Sequence, residues 1–390
     1  EKRMEIHKTI CSPYMAALSY NISPILPDDL YYSFFCNSGA EAVEGAIKLA
    51  YKFHNGNRKI ILHSDISYHG KLLGSASITA SKEVHFRYPR IPNTESFEFN
   101  NIESVKEKIN KFRKESGESD IYALFIEPFN AGSIRSCSKV FLEELQKICN
   151  DEKIILVFDE IYSGWYKTGN LFYFMGYDVI PDILTTSKSF GGGKSSISAY
   201  VARNSILLKA YGNTRDATLH TTTYNGMGEE CITAIEAINI MEKDNFKEKS
   251  YNIERIVKDR CNQLIKKFPE QIIECRGAGA IHGIFLKNKK TFFNQIIKLI
   301  PTEISKDERF IPKLIIAAVA DWMYRYHKIY VLFSNADEIS LLFTPSLVMN
   351  KKEINYFFDS LEKTLQVDIN KITIEFVKKY VSQIIMKLKL

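Results

Sequence analysis

The sequence predicts an α/β protein of two domains, and three observations carry that expectation. Short runs such as Ile121–Ile126 (IYALFI) and Ile154–Phe158 (IILVF) are apolar on both faces, the pattern of strands buried in a parallel sheet. Between them Val140–Cys149 reads as an amphipathic helix, so strand, helix and strand alternate. The 390 residues exceed what one core ordinarily holds, and 45% hydrophobic against 25% charged residues is an ordinary globular balance.

Composition excludes several classes. No apolar run reaches the length of a bilayer span, and Glu1–Lys8 is mostly charged, unlike a signal peptide; a cytoplasmic location is expected, with no membrane span. The seven cysteines (Cys11, Cys36, Cys137, Cys149, Cys231, Cys261 and Cys275) are scattered and form no CxxC pair, which points to reduced, mostly buried thiols rather than a disulfide framework or a metal site. The net charge of +6 comes from lysines spread along the chain, not from the concentrated basic face that nucleic-acid binding needs.

In chain order, Glu1–Pro27 has no clean apolar period. Phe34–Tyr51 becomes helical from Asn37-Ser38-Gly39 onward, with Val43, Ile47, Ala50 and Tyr51 as its apolar face. Small residues at a helix start leave N–H groups free for an anion, although the same string also serves as a plain N-cap. Lys59–Leu62 is a strand leading to Ser67-Tyr68-His69-Gly70, and Lys82–Asn101 reads as a surface excursion. Glu103–Lys114 is a polar helix, and the strand Ile121–Ile126 ends at Glu127-Pro128. Asp182–Thr185 and Ser198–Ala202 are strands; Glu229–Met241 and Tyr251–Phe268 are helices, the second crossing into the smaller domain. Within that domain, Cys275–Leu286, Val331 and Leu341–Phe343 belong to strands and Leu314–Tyr326 to a helix. After residue 365, Phe376, Val377, Tyr380, Val381, Ile384 and Ile385 recur at three and four, as in a helix packed on its own domain or one that docks elsewhere.

The chemistry gathers in Ile154–Gly193. The strand Ile154–Phe158 stops at Asp159, a carboxylate at a strand mouth, and Lys188 follows the strand Asp182–Thr185, ahead of Gly191-Gly192-Gly193. An acid and an amine on neighbouring strand ends suit pyridoxal phosphate (PLP): its aldehyde needs a lysine to hold it as a Schiff base, and its pyridine nitrogen needs an acid to stay protonated. By spacing alone, a helix-capping aspartate and a solvated lysine remain open.

The wording of the stretch resembles the class III aminotransferases, PLP enzymes of fold type I. Asp159-Glu160-Ile161-Tyr162-Ser163-Gly164, Trp165-Tyr166-Lys167-Thr168-Gly169, Pro181-Asp182-Ile183 and Ser187-Lys188-Ser189-Phe190-Gly191 follow that family's pattern in order. The resemblance implies a large domain with a mostly parallel seven-stranded sheet flanked by helices, plus a smaller C-terminal α+β domain. It implies catalytic roles for Lys188 and Asp159, phosphate binding by Ser38, Gly39 and Ala40, and ring stacking by Tyr68. Glu127 would support the aspartate network, and Tyr162 would stand where a glutamine donates to the cofactor's phenolic oxygen. In His220-Thr221-Thr222-Thr223-Tyr224, Thr223 would reach the phosphate of the cofactor in the other subunit of a homodimer. Domains are expected at 1–30 (an N-terminal segment shorter than the family's, so that a trimmed chain or a piece of a larger polypeptide is expected), 31–248 (PLP-binding), 249–365 (small domain) and 366–390 (helical extension). Lys287–Pro312 fits no part of the pattern and reads as a divergent insertion.

Two further departures bear on function. Leu342, in Leu341-Leu342-Phe343-Thr344-Pro345, stands where the family places an arginine that clamps an α-carboxylate, and Gly132 stands where that arginine's glutamate partner would be. Their joint absence is coherent, because either charge alone would be buried without a partner. Amino transfer to or from an ω-amine, an aldehyde or ketone, or a carrier-bound group is therefore expected, in a biosynthetic role. A racemase, epimerase or aminomutase of the same fold, and a catalytic module docked in a larger assembly, are the alternatives.

Overall fold

The computed structural model describes residues 11–80, 89–287, 309–334 and 338–388, with side chains of the last segment described through Lys379. The chain forms two compact units. One runs up to Ala131 and resumes over Ser136–Phe246; the other joins Gly132–Arg135 to the chain from Lys247 onward.

The first unit holds helices α1 (Pro13–Ile22), α2 (Gly39–Phe53), α3 (Leu73–Ser77), α4 (Ile102–Lys111), α5 (Lys139–Glu152), α6 (Asn204–Tyr211) and α7 (Gly228–Lys243). Its strands are β1 (Leu30–Cys36), β2 (Ile60–Ser64), β3 (Thr94–Phe97), β4 (Ile121–Ile126), β7 (Ile155–Asp159), β8 (Ile183–Thr186) and β9 (Ser198–Arg203); the two-residue strands β5 (Phe129–Asn130) and β6 (Arg135–Ser136) lie between β4 and α5. Seven strands form one sheet in the order β1-β9-β8-β7-β4-β2-β3. Only β9 runs against the rest. The expected α/β class and the mostly parallel seven-stranded sheet are both present.

Every residue of β2, β4, β7 and β8 is buried, which is why their sequences are apolar on both faces. Val43, Ala46, Ile47 and Ala50 of α2, with Ile206 and Ala210 of α6, cover one face of the sheet over Ile61, Ala123, Val157, Ile183 and Ala202. Each Val or Ile among them contributes about 1.5–3 kcal/mol when fully buried, and each Ala less. At the opposite end of the strands from the loops described below, Arg58 is buried and donates through Nη1 to the carbonyls of Ile121 (2.9 Å), Glu152 (3.0 Å) and Lys153 (3.1 Å). One guanidinium thereby ties β4 to the end of α5.

Three expectations need correction. Glu1–Pro27 contains α1, started by Ser12, whose hydroxyl accepts from Met15 N–H, and by Pro13 at its first position. Lys82–Asn101 is not all surface: Thr94–Phe97 is the parallel edge strand beside β2, with Phe97 buried, while residues 81–88 lie outside the described residues. Tyr51 is not part of the buried face of α2; it is exposed and meets Tyr122 edge-on.

In the second unit, α8 (Phe246–Lys267) leads to an antiparallel sheet of β10 (Ile272–Ala278), β11 (Ile281–Leu286), β12 (Leu332–Phe333) and β13 (Leu341–Phe343) in the order β10-β11-β13-β12, joined by α9 (Phe310–His327), α10 (Lys351–Gln366) and α11 (Ile369–Leu388). Val331 precedes β12 rather than lying in a strand. Phe343 stacks on Phe357 at 4.2 Å and meets Phe358 edge-on, joining sheet to α10. The early part of α11 packs on α9, with Ile369 and Ile372 buried and Lys379 3.4 Å from Asp321. Tyr380, Val381, Ile384 and Ile385 lie outside the described side chains. Of the Lys287–Pro312 segment, 288–308 lie outside the described residues and Phe310–Pro312 open α9. No helix among the described residues is long and apolar enough to cross a membrane.

Arg58→Met removes three hydrogen bonds at the strand ends away from the site. Urea unfolding should show a loss of about 3 kcal/mol with turnover per folded molecule unchanged.

Candidate active site

The C-terminal ends of the parallel strands β2, β4, β7 and β8 lie side by side, and each is followed by one of the residues singled out above. After β2 come Tyr68 and His69; after β4, Glu127; at the end of β7, Asp159; after β8, Lys188. The α2 N-terminus, carrying Ser38, Gly39 and Ala40, follows β1 at the same edge. Close approaches fix how these loops meet. A Cβ on Gly39 would come within 2.9 Å of Ile161, and one on Gly70, at φ +125°, within 2.8 Å of Ala40.

Asp159 is buried. His69 Nδ1 lies 2.7 Å from its Oδ2, and Ile161 N–H donates to Oδ1 at 3.0 Å. His69 is itself buried, edge-on to Phe125, with its backbone N–H donating to Thr79 Oγ1 at 2.9 Å. The carboxylate thus has a fixed direction and an N–H on each oxygen, which offsets part of the cost of burying its charge.

Glu127 accepts from Tyr68 N–H (2.8 Å) and from Asn130 Nδ2 (2.6 Å) on the same oxygen. Burial pushes its carboxyl up, His69 opposing the shift and the charge of Asp159 adding to it. Glu160, fully buried, accepts from Ser163 Oγ and from the N–H groups of Tyr173 and Phe174. Burial outweighs these donors and pushes it up to about 7.

Lys188 opens a short turn of 3-10 helix with φ +47°, a backbone conformation uncommon for lysine. Its Nζ lies over the Tyr162 ring, 4.1 Å from the centroid. The side chain keeps solvent-accessible surface, yet the protein surrounds it closely enough that burial pushes the ammonium down, against the opposing charges of Asp159 and Glu127.

At α2, Ser38 is the N-cap of a capping box: its hydroxyl accepts from Glu41 N–H, and Glu41 Oε2 takes the N–H groups of Ser38 (3.1 Å) and Asn37 (2.7 Å). Among the described residues the N–H groups of Gly39 and Ala40 have no acceptor, as expected of donors at a helix start. Of the three expected phosphate ligands, Gly39 and Ala40 offer amides and Ser38 only its hydroxyl.

The remaining expected residues are placed as follows. The Tyr68 ring is exposed and its backbone, not its ring, is tied to Glu127. Thr223 is exposed in the segment before α7, where nothing joins it to Asp159 or Lys188 of its own chain. Sequence reasoning passed over His69, although it sits inside the quoted Ser67-Tyr68-His69-Gly70 string, and over the anchoring roles of Glu160 and Asn130. Free amides at a helix start, a hydrogen-bonded carboxylate and a lysine amine over the Tyr162 ring form a donor set that fits PLP: Gly39 and Ala40 would suit its phosphate, Asp159 its ring nitrogen and Lys188 its aldehyde.

Comparison with known proteins shows the family and the fold. Residues 6–365 match the model of the aminotransferase class-III family. Similar solved structures include a transaminase from the marine bacterium Virgibacillus (21% identity, 94% of this chain and 81% of that one, TM-score 0.78). An (S)-enantioselective omega-transaminase from Thermomicrobium roseum aligns over 92% and 79% (22% identity, TM-score 0.76). A Bacillus anthracis aminotransferase aligns over 93% and 82% (23% identity, TM-score 0.77). At these identities the likeness establishes the fold.

Two outcomes check this geometry. His69→Ala leaves Asp159 Oδ2 without its donor and should lower kcat about tenfold or more, whereas His69→Asn, whose amide can donate to the same oxygen, should recover part of it in steady-state assays. Glu160 has a folded pKa raised to about 7 from 4.5, so its contribution to stability is complete below about pH 4.5 and lost as pH rises through about 7. Relative to Glu160→Gln, the wild type should therefore lose stability between about pH 5 and 8 in urea unfolding.

Proposed function

The chain belongs to the class III aminotransferases and is a PLP-dependent enzyme, and from that premise we propose that it moves amino groups to or from substrates lacking an α-carboxylate: ω-amines, aldehydes or ketones, free or carrier-bound, in biosynthesis. The observation that carries this reading is Leu342. It lies in β13 between Gly283 of β11 and Leu332 of β12, and its side chain cannot pair with a carboxylate. Arg276 of β10 stands in the same cross-strand row, opposite Gly283, but it is bound to Glu274 at 2.6 Å, to Glu338 and to Ser133 O at 2.9 Å. Arg135 is held by the same Glu338 at 3.0 Å. Both guanidiniums are already paired with Glu338, and Gly132 carries no carboxylate to answer a clamp.

Bound PLP supplies an aldehyde that condenses with amines and a ring that draws electrons from the substrate carbon. In the proposed division of labour, Gly39 N–H, Ala40 N–H and the Ser38 hydroxyl bind the phosphate at the α2 N-terminus. Asp159, held by His69 and Ile161 N–H, keeps a proton on the ring nitrogen. Lys188 Nζ would hold the aldehyde and, once freed, would accept the proton from the substrate carbon and give it back; burial lowers its pKa while the charges of Asp159 and Glu127 oppose that shift. The Tyr162 ring lies under Lys188 Nζ, and its hydroxyl would serve the phenolic oxygen, with Tyr68 to stack on the ring. Glu127 secures the loop that carries His69. Thr223, without a role in its own chain's site, serves the partner's phosphate in a homodimer.

A substrate panel tests the reading. With PLP bound, ω-amines paired with aldehyde acceptors should give kcat/KM at least about tenfold above L-glutamate, the loss expected without a bidentate clamp. Rapid release of 2-oxoglutarate from L-glutamate would overturn it.

A further inference from the structure

We infer that Trp165 is a positioning residue for Lys188, gripping the turn that carries it on both sides; the inference rests on the reading above only in taking Lys188 as the reactive amine. The indole Nε1–H donates to Thr186 Oγ1 at 2.7 Å, two residues before Lys188. The indole face stacks on Phe190, two residues after it, with centroids 4.9 Å apart and planes 1° from parallel. One fully buried side chain therefore holds both ends of the Thr186–Phe190 segment.

That grip has something to resist. At φ +47° Lys188 occupies a region that a side-chain-bearing residue leaves unless its surroundings hold it there. Inside the turn, Phe190 N–H donates to Ser187 O, closing the turn over Lys188, and Ser187 Oγ donates to Ile197 O; the indole adds a hold on the residues at either end. Trp165 is in turn well anchored. It and Tyr166 both have positive φ, 59° and 65°, and both backbone N–H groups donate to Leu171 O, at 2.5 and 3.2 Å. Phe172 meets the indole edge-on at 5.3 Å. The return of this loop is tied by Glu160, through Tyr173 and Phe174, and Glu160 directly follows Asp159. A continuous set of contacts thus runs from the strand end that presents Asp159 to the turn that presents Lys188. If the indole is lost, the turn at 188 is held less tightly, and Nζ can move off the Tyr162 face into more water. The contacts of the indole are with Thr186, Phe190 and Phe172, so its effect is exerted through the turn that carries Lys188.

The test uses the full chain freed of PLP. A small acylating reagent is applied across a pH series, and the Lys188 peptide is followed by mass spectrometry to give the titration midpoint of that amine. The charged groups facing Lys188, Asp159 and Glu127, are unchanged in every variant, so the midpoint reports on its surroundings. Trp165→Leu should raise the midpoint by about one pH unit, as the amine regains water. Trp165→Phe, which keeps a stacking ring without the N–H, and Thr186→Val should each raise it by less, and the double variant no further than either one. In the reconstituted enzyme kcat should fall about tenfold while KM for the amine changes by less than about twofold. A wild-type midpoint in Trp165→Phe and Thr186→Val, with wild-type melting, overturns the inference, and these two variants decide it if Trp165→Leu does not fold. A failure of the lysine assignment would show separately, as turnover that survives Lys188→Ala while the midpoint still shifts.

Discussion

The hydrogen bond between His69 and Asp159 is the contact on which the rest of the site turns. A carboxylate as buried as this one costs several kcal/mol unless its charge is answered. Here an imidazole nitrogen at 2.7 Å and a backbone N–H at 3.0 Å answer it and also set its direction. The histidine comes from the loop after β2 and the aspartate from the end of β7, with β4 between them in the sheet. Glu127, at the end of that intervening strand, takes the amide of Tyr68 and so fixes the loop on which His69 sits. Each acid therefore holds the loop that serves another.

This arrangement depends on the sheet being parallel where it matters. Parallel strands deliver all their C-terminal ends to one edge, and the runs β2, β4, β7 and β8 are buried throughout, so those ends have little freedom to move. Gly70, at φ +125°, lets the His69 loop approach the α2 N-terminus at Ala40 more closely than a side chain would permit, and Gly39 leaves room for Ile161. Desolvation then acts on charges of both signs at that edge, raising Glu127 and Glu160 and lowering Lys188.

Much of this was legible in the sequence, for physical reasons that differ by element. The strands ending at Ile126 and Asp159 were plain because burial on both faces leaves an unbroken apolar run. The edge strand Thr94–Phe97 was not, because only Phe97 of its four residues is buried. Helix α1 has just Leu18 and Ile22 buried, too few to show a period, although Ser12-Pro13 marks its start. Lys188, Asp159 and the α2 start could be read from order along the chain. His69 could not, because its significance lies in a bond to a residue 90 positions away. The clamp by Trp165 was hidden for the same reason: the sequence offers an aromatic after Gly164, and only the fold brings its two edges to Thr186 and Phe190.

The proposed lack of an α-carboxylate clamp and the proposed role of Lys188 make separate demands on experiment, and the lysine is the more fundamental. Purified protein loaded with PLP and reduced with borohydride, then digested and mapped by mass spectrometry, reads it directly. A phosphopyridoxyl group on Lys188, and on no other lysine, is the expected result; a label elsewhere, or none, would contradict the placement of the reactive amine beside Asp159.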